Sequence, residues 1–234
     1  MDYKAYAPHF DPLCAINPAY EELLDLFALK LAAMDLPHDP DVVDLGAGTG
    51  NFVCALLDRI PNARVSHVDC SPDMNKIAAE KYAQRKLKVD IVEGYMQTVK
   101  IPPQSKDLVI CVNALNNAPP VRPTLNRIYS WLKPGGYFFL VDFGREIDVV
   151  DWTWFLFKHL LSEYGVRETI SVIRRQSKVI SINRKGHNDQ LHGALWTHTT
   201  VELLEYLHDA GFKNAESKLC YRDYADMVVT QRLE

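Results

Sequence analysis

Residues 42–60 constrain the fold more than any other stretch of the chain. Val42-Val43-Asp44-Leu45 reads as a buried strand and runs straight into Gly46-Ala47-Gly48-Thr49-Gly50. The apolar segment behind it, Phe52 to Ile60, reads as a helix. Three glycines in five residues let the backbone turn tightly and approach a ligand closely, because glycine carries no Cβ. A helix starting behind such a turn presents free N–H groups and the positive end of its dipole to a polar ligand. This is the architecture of a nucleotide site.

The spacing narrows the choice of nucleotide. A dinucleotide fingerprint needs G-x-G-x-x-G. Counted from Gly46, the sixth position is Asn51, so that pattern fails, and D-x-G-x-G-x-G stands instead from Asp44 to Gly50. A second apolar strand, Ala63 to Val68, ends in Asp69, nineteen residues after Gly50. That is about the separation of one βαβ step, and a carboxylate at the tip of the second strand suits a ribose diol.

Four segments together resemble the class I S-adenosylmethionine-dependent methyltransferases of the UbiE-like, small-molecule type. They are Val43 to Gly50; Val68-Asp69-Cys70-Ser71-Pro72-Asp73-Met74; Leu132-Lys133-Pro134-Gly135-Gly136; and Ala210-Gly211-Phe212. Their order and spacing match as well as their letters. The resemblance covers roughly residues 42–142 and 199–230 and leaves about 145–198 without a named motif.

The alternation of strand and helix patterns predicts an α/β fold with a parallel sheet wound on both sides. With the resemblance, the expectation is a seven-stranded Rossmann-like sheet, mostly parallel with an antiparallel edge strand. Residues 1–36 form an N-terminal helical lid, 37–144 and 199–234 the core, and 145–198 an α-helical cap insertion, all in one domain. Helices are expected over Glu21 to Met34, Asn51 to Arg59, Ser71 to Arg85, Pro123 to Leu132 and Val201 to Ala210. Ser71 is the expected N-cap, with Pro72 in the first turn.

Ligands of open α/β sheets bind outside the carboxyl ends of the strands. The resemblance implies S-adenosylmethionine there, with Asp44, Gly46, Ala47, Gly48 and Asn51 near its methionine and ribose portions. It implies Asp69 on the ribose with Cys70 and Met74 beside it, Tyr95 and Met96 near adenine, and Asn113 near the amino-acid end. Tyr20, in Pro18-Ala19-Tyr20, stands where similar methyltransferases bring a tyrosine to the methionine carboxylate.

The cap insertion is where substrate choice should lie, because loops and insertions carry specificity on a constant scaffold. Trp152, Trp154 and Phe155 could wall a planar or apolar acceptor, and Arg174 could meet an acidic group. Tyr6, Asn117 and Trp196 complete the expected substrate set. His192, His198 and Asp142 are the candidate bases, Asp142 because it ends the fifth strand beside the cleft. The histidines at 187, 192 and 198 have no zinc-ligand spacing, so no metal is expected.

Composition fits this reading. The net charge of −4 exerts no global pull toward nucleic acid. No apolar run is long enough to span a bilayer, and the N-terminus does not read as a signal peptide. The five scattered cysteines read as reduced cytosolic thiols. The expected setting is the cytoplasm, the partner a small molecule, with neither nucleic acid nor membrane, and the state a monomer or homodimer. Two alternatives stand beside it. The segment Arg167 to Lys185 holds six basic residues and one acid, which suits a tRNA- or protein-directed methyltransferase. A non-catalytic S-adenosylmethionine-binding protein would keep the same motifs.

Overall fold

The structure is a computed structural model that describes residues 3–175 and 195–233. His192 and the rest of 176–194 lie outside the described residues. Seven strands form one sheet: β1 (Asp41–Leu45), β2 (Arg64–Asp69), β3 (Val89–Glu93), β4 (Lys106–Val112), β5 (Leu132–Phe143), β6 (Lys213–Cys220) and β7 (Ala225–Gln231). Their order is β3-β2-β1-β4-β5-β7-β6. The first five run parallel, and β7 pairs antiparallel with both β5 and β6. The antiparallel element expected at that edge is β7, inserted between β5 and the outermost strand.

The helices are α1 (Tyr3–Cys14), α2 (Pro18–Ala33), α3 (Asn51–Leu57), α4 (Pro72–Gln84), α5 (Val121–Trp131), α6 (Val149–Arg175) and α7 (Thr200–Asp209). Side chains alternate across a strand, so β5 serves two cores. Phe139 and Val141 join Leu23, Phe27 and Phe52 on the side of α2 and α3. Phe138 and Leu140 join Leu125, Leu203 and Phe212 on the side of α5 and α7. All of these are almost fully buried, and each large side chain contributes about 1.5–3 kcal/mol by leaving water. Phe27 meets Phe52 and Phe139 edge-on at centroid distances of 5.2 and 4.9 Å, a geometry aromatic rings favour.

Local chemistry sets the element ends. Ser71 caps α4 by accepting a hydrogen bond from the Met74 N–H at 3.3 Å. Thr199 and Glu202 close a capping box on α7. The Lys133-Pro134-Gly135-Gly136 stop acts one residue earlier than its letters suggest. β5 already begins at Leu132, and the Pro-Gly-Gly segment is absorbed as an irregularity between the Lys106–Leu132 and Leu108–Tyr137 pairs.

The lid resolves into two helices. α1 carries Pro8 and Pro12 internally, and it packs against α4. α6 is helical from Val149 to Arg175 but breaks at Gly165, where φ is 71°. Among the described residues, no helix is long and apolar enough to cross a membrane.

Candidate functional site

The glycine turn closes over the carboxyl ends of β1 and β2. Gly46 and Ala47 both donate their N–H groups to the Val68 carbonyl, at 2.8 and 3.1 Å. Gly50 ends the turn at φ 80°, and a Cβ there would lie 2.1 Å from the Tyr82 hydroxyl. Only glycine combines that conformation with that packing. Gly48 has φ 56° and nothing within 4 Å of where a Cβ would sit, so its outer side is open space.

Asp69 ties two elements together. Its Oδ2 accepts from the Gly48 N–H and its Oδ1 from the Ser71 N–H, each at 2.8 Å. The carboxylate thus joins the turn to the start of α4. A buried chain behind it fixes this junction: Tyr82 hydroxyl to His67 Nδ1 at 2.8 Å, His67 Nε2 to Asn75 Oδ1 at 3.0 Å, and Asn75 Nδ2 to the Asp69 carbonyl at 3.1 Å. Burial lowers the His67 pKa, which favours the neutral ring that such a chain needs.

Two buried acceptors at neighbouring strand ends have no hydrogen-bond partner among protein atoms: Asp44 Oδ2 on β1 and Asn113 Oδ1 just past β4. Burial, reinforced by the negative charge of Asp69, raises the Asp44 pKa to about 8. Asn113 adopts φ 54°, and its Nδ2 donates to the Tyr221 hydroxyl at 3.2 Å. Tyr221, Arg222 and Asp223 all have positive φ, an uncommon run for three residues other than glycine. This turn drives the fully buried Tyr221 ring under Asn113. Neither the turn nor Tyr221's part in it is signalled by a glycine in the sequence.

α1 lies over the same turn. Asp11 Oδ1 accepts from Thr49 Oγ1 at 2.6 Å and from Asn51 Nδ2 at 3.2 Å, while Asp11 Oδ2 pairs with Lys81 Nζ at 2.8 Å. Asn51 Nδ2 also reaches the Tyr20 hydroxyl at 3.1 Å. Tyr20 is buried between Phe10 and Phe52. Asp11 and Lys81 escaped the sequence reading, since a lone acid among aromatics gives no signal of its target.

The remaining candidates divide sharply. Met74 and Met96 are buried, Met96 within the core beside Val68 and Leu45, while Tyr95 is exposed and Cys70 half-buried. Trp152 and Phe155 face inward: Trp152 lies 6.1 Å from both Tyr221 and Tyr224, and Arg222 stacks over Phe155 at 4.6 Å. Tyr6 packs on Phe10 within α1, and the exposed Asn117 donates to Asn116 Oδ1 at 2.7 Å. Trp154 and Arg174 are exposed, and Trp154 stacks on Phe157 instead of joining Trp152. Two residues along a helix is about 200° around it, so both tryptophans cannot wall one site.

The candidate bases are also corrected in part. The His198 side chain is 1% exposed, with Nε2 3.5 Å from Asp226 and the ring stacked on Trp196 at 4.3 Å. It does not face the cleft mouth. Asp226 is held by Arg145, at 2.9 Å, and by Thr200, at 2.6 Å. Burial pushes the Asp226 pKa up, but the hydrogen bonds of His198, Arg145 and Thr200 prevail and hold it at about 2. Asp142 is fully buried, and burial raises its pKa far above the carboxylate range against the opposing influence of the Asn116 and Phe143 amides. Burial favours its protonated form, which works against a role as base.

Residues 42–136 match the family model described as a methyltransferase domain. Over that segment the chain is similar to S-adenosylmethionine-dependent methyltransferase domains. A demethylmenaquinone methyltransferase of Deinococcus radiodurans is 31% identical over 138 residues, which is 55% of this chain and 57% of that protein. The chain thus spans little more than half the length of that curated relative. Among solved structures, a Methanococcus maripaludis protein assigned as an S-adenosyl-L-methionine-dependent methyltransferase superposes with a TM-score of 0.67 at 19% identity, covering 100% of this chain and 95% of that one. A chain from the complex between the Haloferax volcanii Trm112 methyltransferase activator and a methyltransferase gives 0.63 at 20% identity, covering 100% and 98%. The matched segment holds the D-x-G-x-G-x-G turn and the strands β1 to β4, while β6 and β7 lie beyond it.

Proposed function

We propose that this domain transfers the methyl group of S-adenosylmethionine to an oxygen or nitrogen atom of a small molecule. The observation that carries the reading is the pair of unpartnered acceptors, Asp44 Oδ2 and Asn113 Oδ1, beside the open space at Gly48. Buried acceptors without donors cost about 1–3 kcal/mol each, so the site calls for a donor-bearing ligand. The ammonium group and ribose hydroxyls of S-adenosylmethionine are such donors, and the residues present fit it. Asp69, fixed by two main-chain N–H groups, keeps acceptor capacity for the ribose diol. Tyr20, Asn51 and Asn113 would hold the amino-acid end, and Tyr95 and Met96 would flank the base.

When bound, the sulfonium supplies an electrophilic methyl. The chain's part is to align the acceptor and exclude water. α1 covers the turn, and the inward face of α6 stands on the Tyr221–Tyr224 turn near the end of β5. Of the three candidate bases, burial disqualifies Asp142 and His198, and the reading keeps His192. A second reading, transfer to RNA or protein, draws on the basic segment Arg167 to Lys185.

Transfer of labelled methyl from S-adenosylmethionine into a host lysate, split into metabolite, RNA and protein fractions, tests both. Label in the metabolite fraction is expected. Label confined to RNA or protein would overturn the small-molecule reading. Tight cofactor binding with no label in any fraction, across lysates of several hosts, would make the protein a binder.

A further inference from the structure

α6 turns two faces in opposite directions. Trp152, Phe155 and His159 share the face that rests on the β6–β7 turn. Val150, Trp154, Phe157, Leu161 and Tyr164 follow at alternating spacings of four and three. At 3.6 residues per turn these five occupy an arc of only about 80° on the other side. Val150 is 79% exposed and Trp154 55%. Beyond the break at Gly165 the pattern resumes with Val166, Ile170 and Ile173, all exposed. Eight of the thirteen exposed large apolar side chains among the described residues lie on this one helix. A monomer rarely leaves such a surface without use.

The charges indicate what covers it. Lys158 before the break at Gly165, and Arg167 and Arg174 after it, each sit about a quarter-turn from the apolar residues of their own half of the helix. Lys158 lies over the Trp154 ring at 5.0 Å. Of the helix's three acids, Asp151 pairs with Arg222 at 2.8 Å and Glu168 with Arg175 of the same helix, which leaves Glu163 exposed. Residues 149–175 hold four basic and three acidic side chains, in a chain whose net charge is −4. A narrow apolar stripe with tryptophan and tyrosine, flanked by long cations, is the composition of a helix lying in a lipid interface. We infer that the outer face of α6 docks on the surface of an anionic lipid bilayer, with Trp154, Leu161 and Ile170 among the acyl chains and Lys158, Arg167 and Arg174 at the headgroups. This is contact with one leaflet and not a span. It is independent of the methyl acceptor and departs from the expectation that no membrane is involved.

The test is flotation of the full chain with phosphatidylcholine vesicles and with vesicles containing about one-third phosphatidylserine. The expected result is recovery with the anionic vesicles, a blue shift of tryptophan emission, and loss of most binding at high salt. Leu161→Ser with Ile170→Ser should lower partitioning at least tenfold, and Lys158→Glu with Arg167→Glu should remove the preference for phosphatidylserine. Circular dichroism confirms that each variant is folded, and the charge pair serves as the test if the serine pair is not. Failure of the wild-type chain to float with anionic vesicles would overturn the inference, as would equal recovery of folded variants. A dimer in sedimentation that Leu161→Ser with Ile170→Ser converts to monomer would assign the stripe to a second copy instead.

Discussion

Replacing Asp69 with Asn keeps the shape of the side chain and removes its charge and one acceptor. In the structure both carboxylate oxygens are engaged, by main-chain donors from two elements, at 2.8 Å each. An Asn offers one oxygen and one NH₂, so whichever way it turns, the NH₂ faces an N–H. A charge-assisted hydrogen bond contributes about 1.5–3 kcal/mol. The junction is half-exposed and water can replace part of it, so the stability loss should be about 1–2 kcal/mol. Cofactor affinity should fall by more than the fold does, because on the proposed function the same oxygens would also accept from the ribose diol. A loss of about 1.5–3 kcal/mol corresponds to a ten- to hundredfold or slightly greater weakening of binding. Calorimetric titration with S-adenosylhomocysteine, paired with urea unfolding of the same sample, separates the two effects. A variant that loses stability yet binds S-adenosylhomocysteine with unchanged Kd would refute the ribose assignment and leave Asp69 as a tie between turn and helix.

Three further outcomes are expected. Asp44 titrates at about 8 in the fold against an ordinary carboxylate value of 3.8, so the native state binds the extra proton between those limits. Its contribution to stability is therefore present below pH 4 and is lost as pH rises toward 8; Asp44→Asn should flatten that slope in denaturation measured across the range. If an ammonium group seats against Asp44, binding expels its proton, and titration of S-adenosylhomocysteine at pH 7 in buffers of different ionisation enthalpy should show proton release that Asp44→Asn abolishes. Arg145→Leu leaves the buried Asp226 without its guanidinium and should cost about 3–5 kcal/mol in urea unfolding; a loss below 1 kcal/mol would show that His198 and Thr200 suffice. Gly48→Ala meets no atom within 4 Å but must adopt φ 56°, so stability should fall by about 1–2 kcal/mol while S-adenosylhomocysteine binding drops steeply; retained affinity would place the ligand elsewhere.

The parts of the molecule written in local pattern were readable from the chain. The glycine turn, the Asp69 tip and the Ser71-Pro72 cap are short-range signals, and all three stand where their letters place them. What escaped depends on contacts between distant residues. The helical lid expected over residues 1–36 left the bounds of α1 open, since Pro8 and Pro12 blur a helical pattern that the spacing of Tyr6 and Phe10 suggests. Tyr221 reaches Asn113 only because three residues without glycine adopt left-handed conformations. His198 looks like a free histidine until β7 brings Asp226 beside it. Trp154 looks like a companion of Trp152 until the helix turns it away.

The hold that α1 has on the glycine turn also governs traffic. Asp11 engages Thr49, Asn51 and Lys81 at once, and the Asp11–Lys81 pair is partly open to water, with side chains 33% and 21% exposed. Ion pairs so placed contribute at most about 1 kcal/mol. On the proposed function a nucleoside bound at the glycine turn would lie beside α1, and if the Asp11–Lys81 pair holds α1 over it, its departure should quicken with ionic strength.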